Sequence, residues 1–312
     1  MEQTALTLAY DSGTLVIAGA APAELAVLPG CRFDPRTQAY RAEARYYRAI
    51  VENVRQRKLP YKDEARAYQP HSYTLRSPRK PFPHQTEGLE TWWRAGGRGV
   101  VVLPTGTGKT HLAILAIHKA ARPALVVTPT IDLLNQWYSE LLSAFGAPVG
   151  LLGGGHYDLQ PLTVSTYDSA YIHMERWGDR YGLLVFDECH HLPGPSFMAV
   201  AIGAIAPFRL GLTATPERPD GQDSLMPELV GPIVYRREIK ELSGDFLAEY
   251  RTERIYVDLT PEEQARYQSA RDHYRSFVQQ SGISIGGPKG WQRFIFETYR
   301  SPEGRALLTA AA

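Results

Sequence analysis

The segment LPTGTGKT, residues 103 to 110, stands between an apolar run, GVVVL (99–103), and a helix-forming run, HLAILAIHKAA (111–121). Strand, glycine-rich loop and helix in that order leave the chain little freedom, because such a loop is useful only where its backbone N–H groups and the helix N-terminus converge on an anion. Pro104, Thr105, Gly106, Thr107 and Gly108 form the curl, Lys109 is placed to reach β and γ phosphates, and the Thr110 hydroxyl is placed to bind Mg²⁺. The generic loop pattern has Gly where this chain has Leu103. The reading therefore rests on the strand-to-helix context.

Further apolar runs follow at spacings suited to parallel strands covered by helices on both faces: ALVV (124–127), LTVS (162–165), LLVF (183–186) and FRLGL (208–212). This predicts an α/β doubly wound layer over residues 84–241. Ligands of such sheets bind outside the carboxyl ends of the strands. The run LLVFDECHH (183–191) delivers Asp187 and Glu188 to such an end, Asp187 as a Mg²⁺ carboxylate and Glu188 as the base that polarises an attacking water. Cys189, His190 and His191 do not make a metal site, since consecutive residues of extended chain point in opposite directions and no second ligand cluster exists.

Residues 1–65 read as a small α+β module. Two β-rich runs flank Asp11-Ser12-Gly13 as a hairpin, a helix follows, and a turn at Asp34-Pro35 precedes the basic stretch RAEARYYRAIVENVRQRK (41–58). Residues 1–80 hold 13 Lys+Arg against 8 Asp+Glu, in a chain whose formal charge is only +1. Two readings of 41–58 stay open: a solvated helix face with Tyr46, Ile50 and Val54 packed underneath, or a phosphate-contacting face carrying Arg45, Arg48 and Arg55. Residues 66–83, rich in Pro and aromatics without helical period, read as a linker. Beyond Gly231 come strand-like IVYRR and RIYVDL (254–259), then a charged helix over 261–280. No apolar run is long enough to span a bilayer, and the two cysteines are too few for a disulfide framework, so a cytoplasmic protein is expected.

Five segments in order resemble the superfamily 2 helicases and translocases: PTGTGKT (104–110), VVTPTIDLLNQW (126–137), VSTYDSA (164–170), DECH (187–190) and TAT (213–215). GLTATPERPDG and the N-terminal module are similar to the XPB-like branch, the module resembling its damage-recognition domain. The resemblance implies a RecA-like doubly wound sheet with a small N-terminal α+β domain and a partial, mostly helical C-terminal segment (242–312). It implies an ATP-dependent DNA helicase or translocase acting in repair, with ATP and Mg²⁺ as cofactors. Its implied partners are single-stranded, forked or damaged DNA and a repair nuclease, and no membrane. Gln85 matches the family's adenine-reading glutamine, although Pro81-Phe82 stand where the family has Leu-Arg. Thr128, Thr130 and Thr166 match contacts to the tracked strand's phosphates. Arg218 and Asp220 match the ends of the branch's Arg-Glu-Asp element, with Pro219 in place of the glutamate. The family's second RecA-like domain, with the arginines that complete the nucleotide site, has no counterpart in these residues, so the chain alone is expected to be nearly inactive. A non-motor DNA-binding protein regulated by nucleotide is the competing reading.

Overall fold

The computed structural model describes residues 5–76, 79–217, 220–244, 253, 255–282, 294, 296–298, 300 and 302. The chain forms two compact units, Met1–Glu249 and Tyr250–Ala312.

The first unit begins with β1 (Leu6–Asp11) and β2 (Thr14–Ala18), joined by Ser12 and Gly13. Both joining residues have positive φ, which gives the tight turn whose twist matches a hairpin. The short helix α1 (Pro22–Leu25) leads to β3 (Arg32–Asp34), β4 (Ala39–Glu43), α2 (Tyr47–Gln56) and β5 (Tyr61–Glu64). Their sheet has the order β3-β4-β2-β1-β5. Leu8, Leu15 and Ile17 on one face pack with Ile50 and Val54 of α2. The expected basic helix is thus shorter than 41–58, because residues 41–43 pair with β2 and are strand. Tyr47 is buried under the helix, while Tyr46 is half-buried.

Residues 66–76 cross to the second part of this unit without helix or strand, yet they are not a loose linker. Tyr68 lies in the core of the N-terminal module and Tyr73 in that of the following lobe. The backbone N–H groups of Ala67, His71 and Arg76 donate to Asp179, Ala121 and Ala144. An extended strap with its amides paired to loop carbonyls satisfies backbone groups as a sheet would. Among prolines, the buried tyrosines were the signal for it.

The lobe contains α3 (Pro83–Arg94), β6 (Arg98–Val102), α4 (Lys109–Ala120), β7 (Ala124–Thr128), α5 (Ile131–Phe145), β8 (Gly150–Gly153), β9 (His156–Tyr157), β10 (Leu162–Thr166), α6 (Tyr167–Trp177), β11 (Leu183–Asp187), α7 (Met198–Ile202), β12 (Phe208–Thr213), α8 (Met226–Leu229), β13 (Ile233–Arg236) and α9 (Ile239–Leu242). The sheet order is β13-β6-β12-β11-β7-β10-β8-β9, parallel throughout except for β9. This is the expected doubly wound α/β layer. Successive residues of a strand point to opposite faces, so Val101 and Leu103 join a core with α4 and α5 while Val100 and Val102 join one with α6 and α7. Strands buried on both faces explain the uninterrupted apolar runs.

The module is docked on the lobe. The Tyr10 hydroxyl shares its proton among the carbonyls of Met174, Glu175 and Gly203, at 3.0, 3.2 and 2.9 Å. Arg48 donates to the carbonyls of Gly96 and Pro207. Ile205 inserts into the module's core. Arg209, wholly buried in β12, holds the loop that carries Ile205 by donating to the carbonyls of Ala204, Ala206 and Leu229.

In the second unit, α10 (Pro261–Gln280) starts at a capping box between Thr260 and Glu263. The expected strand at 254–259 is not formed at the described positions 255–259, where Ile255, Tyr256 and Val257 are largely exposed and unpaired. A strand needs a neighbour to satisfy its N–H and C=O groups, and this segment has none among the described residues. No helix of the described residues is long and apolar enough to cross a membrane.

The seam gives a stability prediction. A Cβ on Gly178 would lie 2.0 Å from the Gly203 carbonyl oxygen and 2.3 Å from the Tyr10 hydroxyl, although its φ of −60° suits any residue. Gly178→Ala should therefore lower stability by about 1–3 kcal/mol through overpacking alone. Urea unfolding checks this, and a midpoint equal to wild type would mean the seam yields freely.

Candidate nucleotide site and nucleic-acid interface

The loop between β6 and α4 curls through Gly106 and Gly108, both with φ near +80°. The positive φ favours glycine at Gly108, and a Cβ there would also lie 2.3 Å from the Gln85 amide nitrogen and displace it. Thr107 Oγ1 donates to the Pro104 carbonyl at 2.7 Å and tightens the curl. From outside, His84 and Gln85 at the start of α3 reach the Thr107 carbonyl at 2.9 and 3.0 Å, and Gln85 also approaches that of Gly108 at 3.3 Å. The other end of the Gln85 amide accepts the Phe82 N–H at 3.0 Å. Gln85 is thus a buried brace of the loop, with both ends of its amide engaged. An adenine edge would have to share it.

Lys109 Nζ donates to the Leu103 carbonyl at 3.2 Å and lies 4.0 Å from Glu188 Oε1. The sheet makes this meeting possible, since only β12 separates β6 from β11. Asp187 ends β11 and is 7% exposed. Burial pushes its carboxyl above the usual range, with the Trp137 indole hydrogen bond opposing the rise and the neighbouring Glu188 charge adding to it. Its Oδ2 accepts from Trp137 Nε1 at 2.7 Å and its Oδ1 from the Glu188 N–H at 3.1 Å. Glu188 adopts a left-handed backbone, φ +45°, rare for a residue with a side chain. That turn points its carboxylate to Lys109 on one side and, on the other, to His190 Nδ1 at 3.4 Å and Thr213 Oγ1 at 3.5 Å. His190 Nδ1 and Thr213 Oγ1 are themselves 3.0 Å apart. Cys189 is fully buried, and burial drives its thiol upward, which leaves it inert.

The donor set fits a magnesium ion. Mg²⁺ is held by one or two protein oxygens, with water and substrate phosphate supplying the rest. Asp187 keeps lone pairs beyond its two donors, and the Thr110 hydroxyl at the start of α4 makes no hydrogen bond among the described residues. Asp187 and Thr110 would hold the ion, which when bound would draw charge from the β and γ phosphates.

Residues 8–65 match the model of the Xeroderma pigmentosum group B helicase damage recognition domain, and residues 79–218 that of the type III restriction enzyme res subunit. The DNA 3'-5' translocase XPB2 of Sulfurisphaera tokodaii is 36% identical over 285 residues, covering 91% of this chain and 64% of that protein. Over these residues the chain is similar to the XPB-like branch of the superfamily 2 helicases. Two bacterial relatives, each a DNA 3'-5' helicase XPB, are 34% (Kineococcus radiotolerans) and 33% (Mycobacterium tuberculosis) identical. Those matches cover 61% and 62% of this chain but 36% and 37% of the relatives. The chain thus spans between about a third and two thirds of these relatives' length.

In this XPB-like chain, Thr128 and Thr166 lie side by side at the ends of the paired strands β7 and β10. Thr130 and Thr166 are N-caps, accepting from the N–H groups of Leu133 and Ser169, each at 3.2 Å. Buried Thr128 has its hydroxyl 3.3 Å from the Thr130 carbonyl. The hydroxyls therefore shape the loops, and of the three threonines only Thr130 is exposed, Thr128 and Thr166 being buried at their strand ends. Arg218 lies outside the described residues; Asp220 accepts the Gln222 N–H within its own turn.

The arginines of 41–58 divide. Arg45 is spent on Glu43 and Glu228 and Arg48 on the seam carbonyls, so neither presents a free guanidinium to phosphate. Arg55 remains on the outer face, bonded to Tyr61. Outside the basic stretch 41–58 lies Arg32, directly opposite Arg41 across β3 and β4. Arg41 pairs with Asp11, while the Arg32 side chain has no ion pair among the described residues. Both line a concavity of about 350 Å³ together with Arg36, Arg45, Asp34 and Glu43. Missed from the sequence were Trp137 and His84, whose partners only the fold reveals.

Lys109→Ala removes the cation that would face the phosphates and should weaken Mg·ATP binding by roughly 10- to 100-fold, the worth of one charged hydrogen bond. Titration with a fluorescent ATP analogue checks it, equal affinities removing Lys109 from the site.

Proposed function

We propose that this chain is the nucleotide-binding lobe and attached DNA-recognition module of an ATP-dependent DNA helicase or translocase that works in repair. The observation that carries the reading is the convergence of Lys109, Asp187 and Glu188 at the carboxyl ends of β6 and β11. Lys109 and the loop N–H groups would bind the phosphates and Asp187 and Thr110 would hold Mg²⁺. Glu188 would take a proton from the attacking water, with Lys109 nearby and His190 and Thr213 steadying its far oxygen. Gln85 ties the base side of the nucleotide to the shape of the loop. The loops that follow β7 and β10, with exposed Thr130 and the buried Thr128 and Thr166 that shape them, would follow a strand's phosphates, and Arg218 and Asp220 would flank it. DNA as the polymer is supported by the module's family and the relatives' names.

The transition-state charge on the γ-phosphate also needs an arginine from across the cleft, worth about 10³ to 10⁵ in rate. These 312 residues alone should bind ATP weakly and hydrolyse it near background. In a version extended through a second lobe, Glu188→Gln should keep ATP affinity while lowering DNA-stimulated phosphate release by roughly 10²- to 10⁴-fold. Undiminished release would place the base elsewhere.

The module should bind DNA without ATP, with affinity falling steeply as salt rises. Arg32→Glu and Arg55→Glu should each flatten the log–log salt slope by about one, as for a lost phosphate contact. Fluorescence anisotropy across a salt series measures this. Slopes unchanged in both variants would confine DNA to the lobe.

A further inference from the structure

Trp137 stands apart from the residues that the chemistry already uses. Its indole is 2% exposed and lies in the core with Leu134 and Leu141 of its own helix and Leu112 and Ile114 of α4. Its one polar atom leaves that apolar packing to meet Asp187 Oδ2 at 2.7 Å. A buried N–H needs an acceptor, but a backbone carbonyl would have served. Here the acceptor is the carboxylate at the end of the central strand. The geometry is that of a charge-assisted bond, short and directional.

The consequence concerns orientation. A carboxylate on a strand end can turn about its last torsion, and terminal torsions of this kind are broad. With Oδ2 pinned by the indole and Oδ1 by the Glu188 N–H, the plane of Asp187 is set before any ligand arrives. Tyr167 fixes the same residue from the main chain, its hydroxyl donating to the Asp187 carbonyl at 3.1 Å. The helix that carries Trp137 is capped by Thr130, two residues beyond the end of β7, so the donor is rooted in an element whose start lies on the lobe's edge proposed to face the strand.

We propose that Trp137 is a positioning residue for the magnesium carboxylate, and that α5 thereby joins the strand-facing edge of the lobe to its metal site. This rests on the nucleotide reading given above. Trp137 touches neither nucleotide nor metal; it acts through Asp187. Outer partners that orient a metal ligand are typically worth 10- to 100-fold in metal affinity.

The test uses the 312-residue chain and a fluorescent ADP analogue, titrated first in EDTA and then with Mg²⁺. Trp137→Phe keeps an aromatic ring in the core and removes the donor together with part of the indole's volume, a loss that Trp177→Phe reproduces elsewhere. Trp177→Phe is the control, a buried tryptophan of α6 that stacks on His173 away from the loop. Trp137→Phe should leave metal-free affinity within about twofold of wild type while raising the Mg²⁺ needed for half-effect by about 10-fold, and Trp177→Phe should shift neither. A Mg²⁺ midpoint for Trp137→Phe equal to wild type overturns the inference and leaves the nucleotide reading standing. A wild-type protein whose nucleotide affinity ignores Mg²⁺ overturns the metal reading and the inference with it. Should Trp137→Phe fail to fold, the Trp177→Phe protein carries the test. Mg²⁺ added to its ADP complex must change tryptophan emission, and unchanged emission overturns the inference.

Discussion

A carboxylate at the carboxyl end of an almost fully buried strand is costly to keep charged, and the surroundings of Asp187 are arranged around that cost. Desolvation alone favours the protonated acid. The opposing contributions come from three directions: an indole N–H from α5, a backbone N–H from the left-handed turn at Glu188, and the ammonium of Lys109 from the glycine loop. Each depends on a different part of the sheet. The turn needs β11 to stop at Asp187, the ammonium needs β6 to end nearby, and the indole needs α5 to lie over β7, which pairs with β11. Removing a strand from this order would leave the charge unsupported.

The seam with the N-terminal module obeys a different economy. It is built largely from main-chain carbonyls: Met174, Glu175 and Gly203 accept from Tyr10, and Gly96 and Pro207 from Arg48. Carbonyls at helix ends and loops lack partners of their own, so a hydroxyl or guanidinium arriving from another module satisfies groups that would otherwise face water or nothing. Glycines permit the approach, Gly13 facing Gly203 and Gly178 lying beneath Tyr10. With the strap of 66–76 bonded along its course, the module and the lobe form one unit. DNA held by the module would be held at a set place relative to the nucleotide loop.

Much of this was legible in the sequence because it is local. The glycine loop, the strand ending in Asp187, the hairpin at Ser12-Gly13 and the five apolar runs each depend on neighbours a few residues away. What could not be read is long-range. Arg45 and Arg48 look like a solvent-facing basic surface, and only tertiary structure reveals that their partners are Glu228, Gly96 and Pro207. Arg32 sits in a short strand of ordinary composition, and its juxtaposition with Arg41 is a fact of register. Residues 66–76 carry proline like a linker, and Tyr68 and Tyr73 were the marks of a strap. The run at 254–259 has strand propensity, yet without a paired neighbour among the described residues propensity does not decide.

The sheet order also divides the labour of the lobe's carboxyl edge. β6, β12 and β11 are consecutive, and their ends carry Lys109, Thr213 and the Asp187-Glu188 pair, within 4.0 Å of one another through Glu188. β7 and β10 are the next two, and Thr130 just beyond the first and Thr166 at the end of the second cap the helices that follow. On the proposed reading chemistry would occupy one half of the edge and shape the other, with the boundary falling between β11 and β7. A residue that crosses this boundary is in a position to make one half answer to the other. Helix α5 starts in the second half at Thr130 and, two turns on, places Trp137 against the carboxylate of the first. A shift of α5 would move the indole directly, because packed interiors transmit small displacements with little loss. The same close packing that makes the lobe stable would therefore pass a displacement of α5 on to the Asp187 carboxylate through Trp137.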